Sequence, residues 1–305
     1  MTGKLAVLIL TKNEDLHIAR CLDSLSSLSA DVFIVDSGSN DTTAKIANSY
    51  SATFLYHKFV CQSQQINWAI SNLLISYEWV IRLDADEYLT VDLAALISAQ
   101  LPLIPRHVNG IQVHRRLFFM QHDIRYGGIN PTPCLRIFRP RYATCERRLM
   151  DEHIVVSGLI HTFNAELIDN NLRPLSYWLS KHNEYSSREA LQSVFPVSSY
   201  FGPMVNSMCS LHGLPAVKRF IKDNIYLRLP CSIRAFSYFL IRYFLFFGFL
   251  DGFRGFCFHF LHAFVYRLVV DLKIIEIRRF LASRRPDIPS ASEVSVALYG
   301  RDFFN

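Results

Sequence analysis

No Cys-x-x-Cys pair occurs in these 305 residues, although seven cysteines stand at 21, 61, 134, 145, 209, 231 and 257. An odd number at scattered spacing argues against a disulfide framework and against a zinc site, and favours a reducing compartment. No secretory signal is expected: the first apolar run, Leu5 to Leu10, is six residues long and leads straight into Thr-Lys-Asn-Glu-Asp. Missing too are a G-x-G-x-x-G turn, which would mark a dinucleotide fold, and a Walker loop, which would mark ATP hydrolysis. Neither aromatic run near the C-terminus offers the roughly 18 to 20 charge-free apolar residues that a spanning helix needs.

Half of the residues are hydrophobic and 13% are aromatic, so there is material for a large core and no sign of global disorder. Charge is unevenly spread. Residues 211 to 285 hold 13 basic and 4 acidic residues, a net +9 within a chain of +6, so the remainder carries −3. That asymmetry predicts a catalytic front, residues 1–210, and a basic aromatic region, 211–285, that meets a negatively charged surface. A tail, 286–305, follows, and its serine and proline content predicts a poorly ordered extension. No nucleic-acid partner is expected.

Leu5 to Leu10 reads as a short buried strand, followed by helical spacing through Ile18, Cys21, Leu22 and Leu25. Val32 to Val35 reads as a second strand, discharging into Asp36-Ser37-Gly38-Ser39-Asn40-Asp41, a loop suited to capping a helix from about Thr42. Thr53 to Tyr56 is a weaker strand and Gln64 to Leu74 a helix. Trp79 to Leu83 is a buried strand that ends in Asp84, Asp86 and Glu87. Strands alternating with helices predict an α/β fold whose sheet is mostly parallel. Ligands of such sheets sit outside the carboxyl ends of the strands, where Asn13, Asp36, Asp41, Asp84 and Asp86 all fall. Clustered hard oxygen ligands suit Mg²⁺ or Mn²⁺, while acids at a helix start are the plainer alternative.

Leu-Thr-Lys-Asn-Glu, Val-Asp-Ser-Gly-Ser-x-Asp-Thr-Thr, Gln-Gln-x-Asn67-Trp-Ala and Leu-Asp-Ala-Asp-Glu occur in that order. Together they resemble the family 2 glycosyltransferases of the Rossmann-like GT-A fold, and within them the lipopolysaccharide-core β-glucosyltransferase branch. The resemblance covers roughly residues 4 to 190. It implies that Thr11, Asn13 and Glu14 line a nucleotide-sugar pocket, with Asp36 on the base or ribose and Asp41 supporting the loop. It further implies that Asp84 and Asp86 contact the ribose and coordinate the ion, and that Asn67 faces the donor. Turn-forming and capping remain open for Asp36 and Asp41.

In related enzymes an acid in the Asp151-Glu152-His153 block serves as the general base. The resemblance puts that acid directly before His153, which makes Glu152 the first choice and Asp151 the runner-up; on a strand the two would point to opposite faces, so only one could serve. His153 is expected to orient the base or touch the metal, or to be an ordinary satisfied histidine. Lys181 and His182 suit the diphosphate, unless Ser186 or Ser187 with Glu189 merely caps a helix there. Arg115, Arg116 and Arg125 fall in the acceptor region. Arg82 either pairs with the acid cluster or snorkels from a strand edge.

Between Ile233 and Leu250 the chain is mostly apolar and aromatic, and Arg234, Tyr238 and Arg242 fall four apart on one helical stripe. Phe256 to Ile275 carries His259, His262 and Tyr266 on one face. The favoured reading lays residues 233–275 in a membrane interface with arginines on anionic head groups, and the other packs them on protein. The expected activity is a metal-dependent, inverting sugar transfer, most plausibly from a UDP-sugar to a lipid-linked or cell-envelope glycan. The place expected for it is the cytoplasmic face of the cytoplasmic membrane. A sugar nucleotidyltransferase and a non-catalytic membrane-bound scaffold are the alternatives.

Overall fold

The structure, a computed structural model, describes residues 4–196, 230–284 and 286–304. The border expected at 210 and the basic residues Lys218, Arg219, Lys222 and Arg228 lie outside these. The chain divides into two compact units. One comprises Met1–Ile124, Ile129–Glu146 and His153–Arg173; the other comprises Arg125–Gly128, Arg147–Glu152 and Pro174–Asn305.

The first unit runs β1 (Leu5–Thr11), α1 (Ile18–Asp23), β2 (Ala30–Asp36), α2 (Thr43–Ser49), β3 (Thr53–Tyr56) and α3 (Gln62–Ala69), which continues as a π turn, Ile70–Leu74. There follow β4 (Trp79–Asp84), β5 (Glu87–Leu89), α4 (Val91–Gln100), β6 (Val108–Phe119) and β7 (His122–Asp123). The last strands are β8 (Thr132–Phe138), β9 (Ala143–Cys145), β10 (Ile154–Val156) and β11 (Leu159–Asn170). The main sheet has the order β3-β2-β1-β4-β8-β6-β11-β5, with β7 on β6, while β9 and β10 pair separately.

The four strands β3, β2, β1 and β4 are parallel. Beyond them β8 runs antiparallel to both β4 and β6. The sheet is therefore mixed, less parallel than strand–helix alternation alone suggests, and it is the GT-A arrangement. β1 is buried on both faces, which is why its sequence is one apolar run rather than an alternation. Val7 and Ile9 enter the core on one face with residues of α1 and α4, and Ala6 and Leu8 enter the other with residues of α3. Thr90 starts α4 by accepting the Leu93 amide at 3.2 Å, with Asp92 in the positive first turn.

Register levels the strand ends. Thr11 stands beside Asp36, and Leu10 beside Asp84, so the carboxyl termini of β1, β2 and β4 open onto one edge.

The second unit contains α5 (Leu175–Val194), α6 (Cys231–Leu240) with a π turn (Ile241–Leu245), a 3-10 turn (Gly248–Asp251), α7 (Gly252–His259) with a π turn (Phe260–Val265), α8 (Tyr266–Ser283) and α9 (Ala291–Tyr299). Ala190 and Leu191 of α5 pack with Val270, Ile274 and Ile277 of α8 and with Val294 and Phe303. Two expectations are corrected here. Ser186 and Ser187 are buried inside α5, bonding back to the Asn183 carbonyl, because the helix begins earlier, after Pro174. The segment after 285 is not a loose tail. Ser290 and Glu293 form a reciprocal capping box that starts α9, and Val294 is fully buried.

Candidate active site

The edge is built around Asp36. Its carboxylate, 2% exposed, takes two donors on each oxygen: the Gly38 and Ser39 amides at 2.7 Å on one, Thr11 Oγ1 at 2.8 Å and Ser39 Oγ at 2.5 Å on the other. A carboxylate so occupied organises the loop, a role beside the base or ribose contact that the resemblance implies. Thr11 is likewise committed to the loop. Gly38, at φ +92°, supplies the turn that no side chain adopts cheaply.

Asp41 holds the next stretch. It accepts the Thr43 amide at 3.0 Å, the Thr43 hydroxyl at 2.6 Å and the Asp15 amide at 3.2 Å, while Thr42, at the N-cap position, makes no side-chain cap bond. These bonds hold its carboxyl below the usual aspartate range, although partial burial works the other way. Asn13, in the left-handed region at φ +55°, accepts the Asn40 amide at 2.8 Å and binds Ser39 through its own amide at 2.7 Å. Glu14 bonds Nδ1 of fully buried His17 at 2.7 Å, and His17 Nε2 accepts the Leu172 amide at 2.9 Å. That chain fixes the tautomer and ties 170–173 to the edge, where Arg173 also donates to the Asn13 carbonyl.

Asp84 receives Arg82 at 2.7 Å and Gln62 at 3.0 Å on one oxygen, and Arg136 at 3.4 Å on the other. Glu87, 1% exposed, accepts the Asp84 amide at 3.0 Å and pairs with Arg136. Burial and then the charge of Asp84 push its carboxyl well above the usual range, against the pull of Arg82. Glu87 is thus a structural member of the trio. Asp86, partly exposed, accepts Asn171 Nδ2 at 2.9 Å.

Among the described residues no three His, Cys, Asp or Glu side chains gather as a metal group. His153 pairs instead with Glu146, 3.3 Å from its Nδ1, so the trio of Asp84, Asp86 and His153 is not assembled. A pair of acids at the edge still fits a hard ion of the Mg²⁺ type. Such ions are held by one or two carboxylates, with substrate phosphates and water supplying the other ligands.

Asn67 does not face the edge. Its side chain reads the backbone of β9, donating to the Cys145 carbonyl at 2.8 Å and accepting the Cys145 amide at 2.8 Å, as a strand partner would. Replacing it with alanine leaves both groups unpaired and should cost about 1–3 kcal/mol in a denaturant titration. Gln62 and Gln65 of the same helix point to the edge instead, Gln65 reaching Ser37 Oγ at 3.0 Å. Arg136, Arg173 and Asn171 escaped sequence reasoning, because no local spacing links them to the acids.

In the second unit Asp151 stands at φ +57° in a bend, not a strand, with Glu152 beside it partly buried. The expectation that the two point to opposite faces of a strand therefore falls away, while the choice of Glu152, which rests on its place directly before His153, is untouched. Lys181 lies over the Tyr185 ring at 5.7 Å. His182 stacks on Trp178 at 3.5 Å and bonds the Trp178 carbonyl at 2.8 Å. Burial lowers its pKa from 6.5 to about 4, so at neutral pH it carries no charge for a diphosphate. The unfolded chain binds that proton more readily, so stability should fall as pH drops from about 6.5 to about 4. Melting temperatures measured against pH should fall less steeply in His182→Phe. Arg116 is taken by Asp123 at 3.0 Å and Glu166 at 3.1 Å, which removes it from the acceptor set.

The glycosyl transferase family 2 model matches residues 6–170, more than half of the chain. An uncharacterised glycosyltransferase of Rickettsia conorii is 34% identical over 212 residues, 62% of this chain and 70% of that protein. The lipopolysaccharide core biosynthesis glycosyltransferase LpsC of Rhizobium meliloti is 28% identical over 201 residues, 62% of this chain and 72% of the relative. Among solved structures, glucosyl-3-phosphoglycerate synthase of Mycobacterium tuberculosis overlaps 63% of this chain and 79% of its own at 14% identity, with a TM-score of 0.41. The matched span begins inside β1 and ends with β11, so it takes in the strand ends and acids of the edge, and the chain belongs to glycosyl transferase family 2.

Proposed function

We propose that this glycosyltransferase moves a sugar, with inversion, from a nucleotide-diphosphate sugar, of which a UDP-sugar is the first choice, to a lipid-linked or cell-envelope glycan. The observation that carries the reading is the level ending of β1, β2 and β4, which gathers the Asn13 and Asp36 loops with Asp84 and Asp86 at one edge. Family membership and the lipopolysaccharide-core relative support the transfer and the acceptor class, and set the nucleotidyltransferase alternative aside.

In this reading Asp86, with Asp84, holds a divalent ion. When bound, that ion supplies positive charge for the leaving diphosphate. The loops ordered by Asp36 and Asp41 hold the nucleotide through backbone groups. Arg82 and Arg136 fix the Asp84 carboxylate so that it need not reorganise during transfer. Glu152 takes the proton of the acceptor hydroxyl as general base, with Asp151 the second choice. A panel of nucleotide-sugars, each with Mg²⁺, Mn²⁺ or EDTA, tests the reading. One donor should raise the melting temperature by several degrees in metal and not in EDTA. Stabilisation that ignores EDTA would count against the ion, and donor hydrolysis would separate an enzyme from a scaffold.

The second unit is proposed to lie on the cytoplasmic face of the membrane through 233–275. Its amphipathicity is inside out. Arg234 is buried and paired with Asp271, so it does not reach head groups as the sequence suggested, while Phe253 is 79% exposed. Among the described residues no single helix is long and apolar enough to cross a membrane, and Ile233–Leu245 meets Gly248–Ser283 at a 74° bend. An exposed aromatic hairpin of this kind suits an interface rather than water. Phe253→Ser with Leu245→Ser should abolish co-flotation with vesicles at an unchanged melting temperature. Flotation equal to the wild type would refute the docking.

A further inference from the structure

At the root of the aromatic hairpin lies a buried cation that has no counter-ion among the described residues. Arg242, 7% exposed, makes two hydrogen bonds, both to neutral acceptors: Nε to the Gly127 carbonyl at 2.9 Å and Nη1 to the Tyr238 hydroxyl at 2.9 Å. No carboxylate pairs with it among the described residues. Beside it His259 is fully buried, and neither ring nitrogen has a partner. Both groups meet at Gly127, where a methyl would collide with the His259 ring; Gly248 closes the other side of that ring in the same way. A buried guanidinium without an opposite charge and an imidazole with two silent nitrogens are costly together, and a native fold keeps such groups where a ligand answers them.

The surroundings say what kind of ligand. The loop Arg125–Gly128 is stitched onto the hairpin: the Arg125 and Tyr126 amides donate to Asp251 at 3.1 and 3.0 Å, and the Gly127 amide donates to the Phe246 carbonyl at 2.8 Å. From the same turn Phe244, Leu245, Phe246, Phe247 and Leu250 project as exposed side chains, each more than half accessible. Apolar side chains outermost with a cation just behind them match the order of a bilayer boundary, acyl chains and then phosphate. We propose that Arg242, with His259, forms a binding site for the phosphate of a membrane lipid, entered from the aromatic hairpin. This rests on the membrane reading above and adds a headgroup chemistry to it.

Co-sedimentation of the full chain with vesicles tests the site, using phosphatidylcholine alone and phosphatidylcholine containing phosphatidic acid, on wild type and Arg242→Gln. The wild type should bind the phosphatidic acid vesicles at least about tenfold more tightly, and Arg242→Gln should bind both alike, at the wild type's neutral level. The same preference in wild type and variant would overturn the site. A wild type that binds both vesicles equally would overturn it while leaving membrane docking intact, and one that binds neither would sink both. Should Arg242→Gln fail to fold, glycerol phosphate is titrated against wild type on phosphatidic acid vesicles at fixed ionic strength. Displacement supports the site and its absence refutes it. Thermal stabilisation by inorganic phosphate equal to that by the vesicles would assign a free-phosphate site and refute the lipid source.

Discussion

Asp86→Asn is expected to lower sugar transfer by about 10²–10³-fold while leaving the melting temperature almost unchanged. Asp86 is partly exposed and its Oδ2 takes the Asn171 amide, a bond that an asparagine oxygen can also accept. Asparagine keeps its shape but not its charge. The fold therefore loses little, whereas the proposed divalent ion would lose a hard anionic ligand. The two readouts separate the explanations. Loss of transfer together with loss of metal-dependent stabilisation by the donor places the ion at Asp86. Loss of transfer with metal-dependent stabilisation intact would point to another role, and full activity would remove the residue from the chemistry.

Arg136→Met should produce the largest loss of stability, about 3–5 kcal/mol, because it strands Glu87 as a buried carboxylate. Both partners are almost inaccessible, with side-chain exposures of 9% and 1%. For a unit of this size that corresponds to a fall of roughly 6–20 °C in melting temperature. The double variant Arg136→Met with Glu87→Gln should recover most of the loss, since it leaves no buried charge unpaired. A single variant within about 1 kcal/mol of wild type, or a double variant worse than the single, would contradict this account of the trio.

The parallel half of the sheet was legible because β1, β2 and β4 are buried on both faces and therefore read as uninterrupted apolar runs ending in polar turns. That pattern placed the polar residues at strand ends; the register that levels those ends is an observation of the structure. What could not be read were the partners. Arg136 reaches Asp84 from β8, and Arg173 reaches Asn13 from beyond β11; both contacts exist only because of strand order. Asp36 shows what residue type and spacing leave out. Residue type and position both suited a ligand, and the turn it organises engages both of its oxygens as well. The tail was misjudged on its serine and proline content, although Ser290-x-x-Glu293 was a capping signature in plain sight. The stripe Arg234, Tyr238, Arg242 was read correctly as one face. That it faces inward, leaving phenylalanine outside, is a tertiary fact.

The most direct measurement is hydrogen exchange of the full chain with and without UDP and Mn²⁺. Protection should concentrate in residues 11–15, 36–43 and 84–87, with 170–173 following because Asn171 and Arg173 bind that edge. Slowed exchange confined to other segments, or none at these strand ends while the nucleotide is bound, would mean that the acids do not hold the donor.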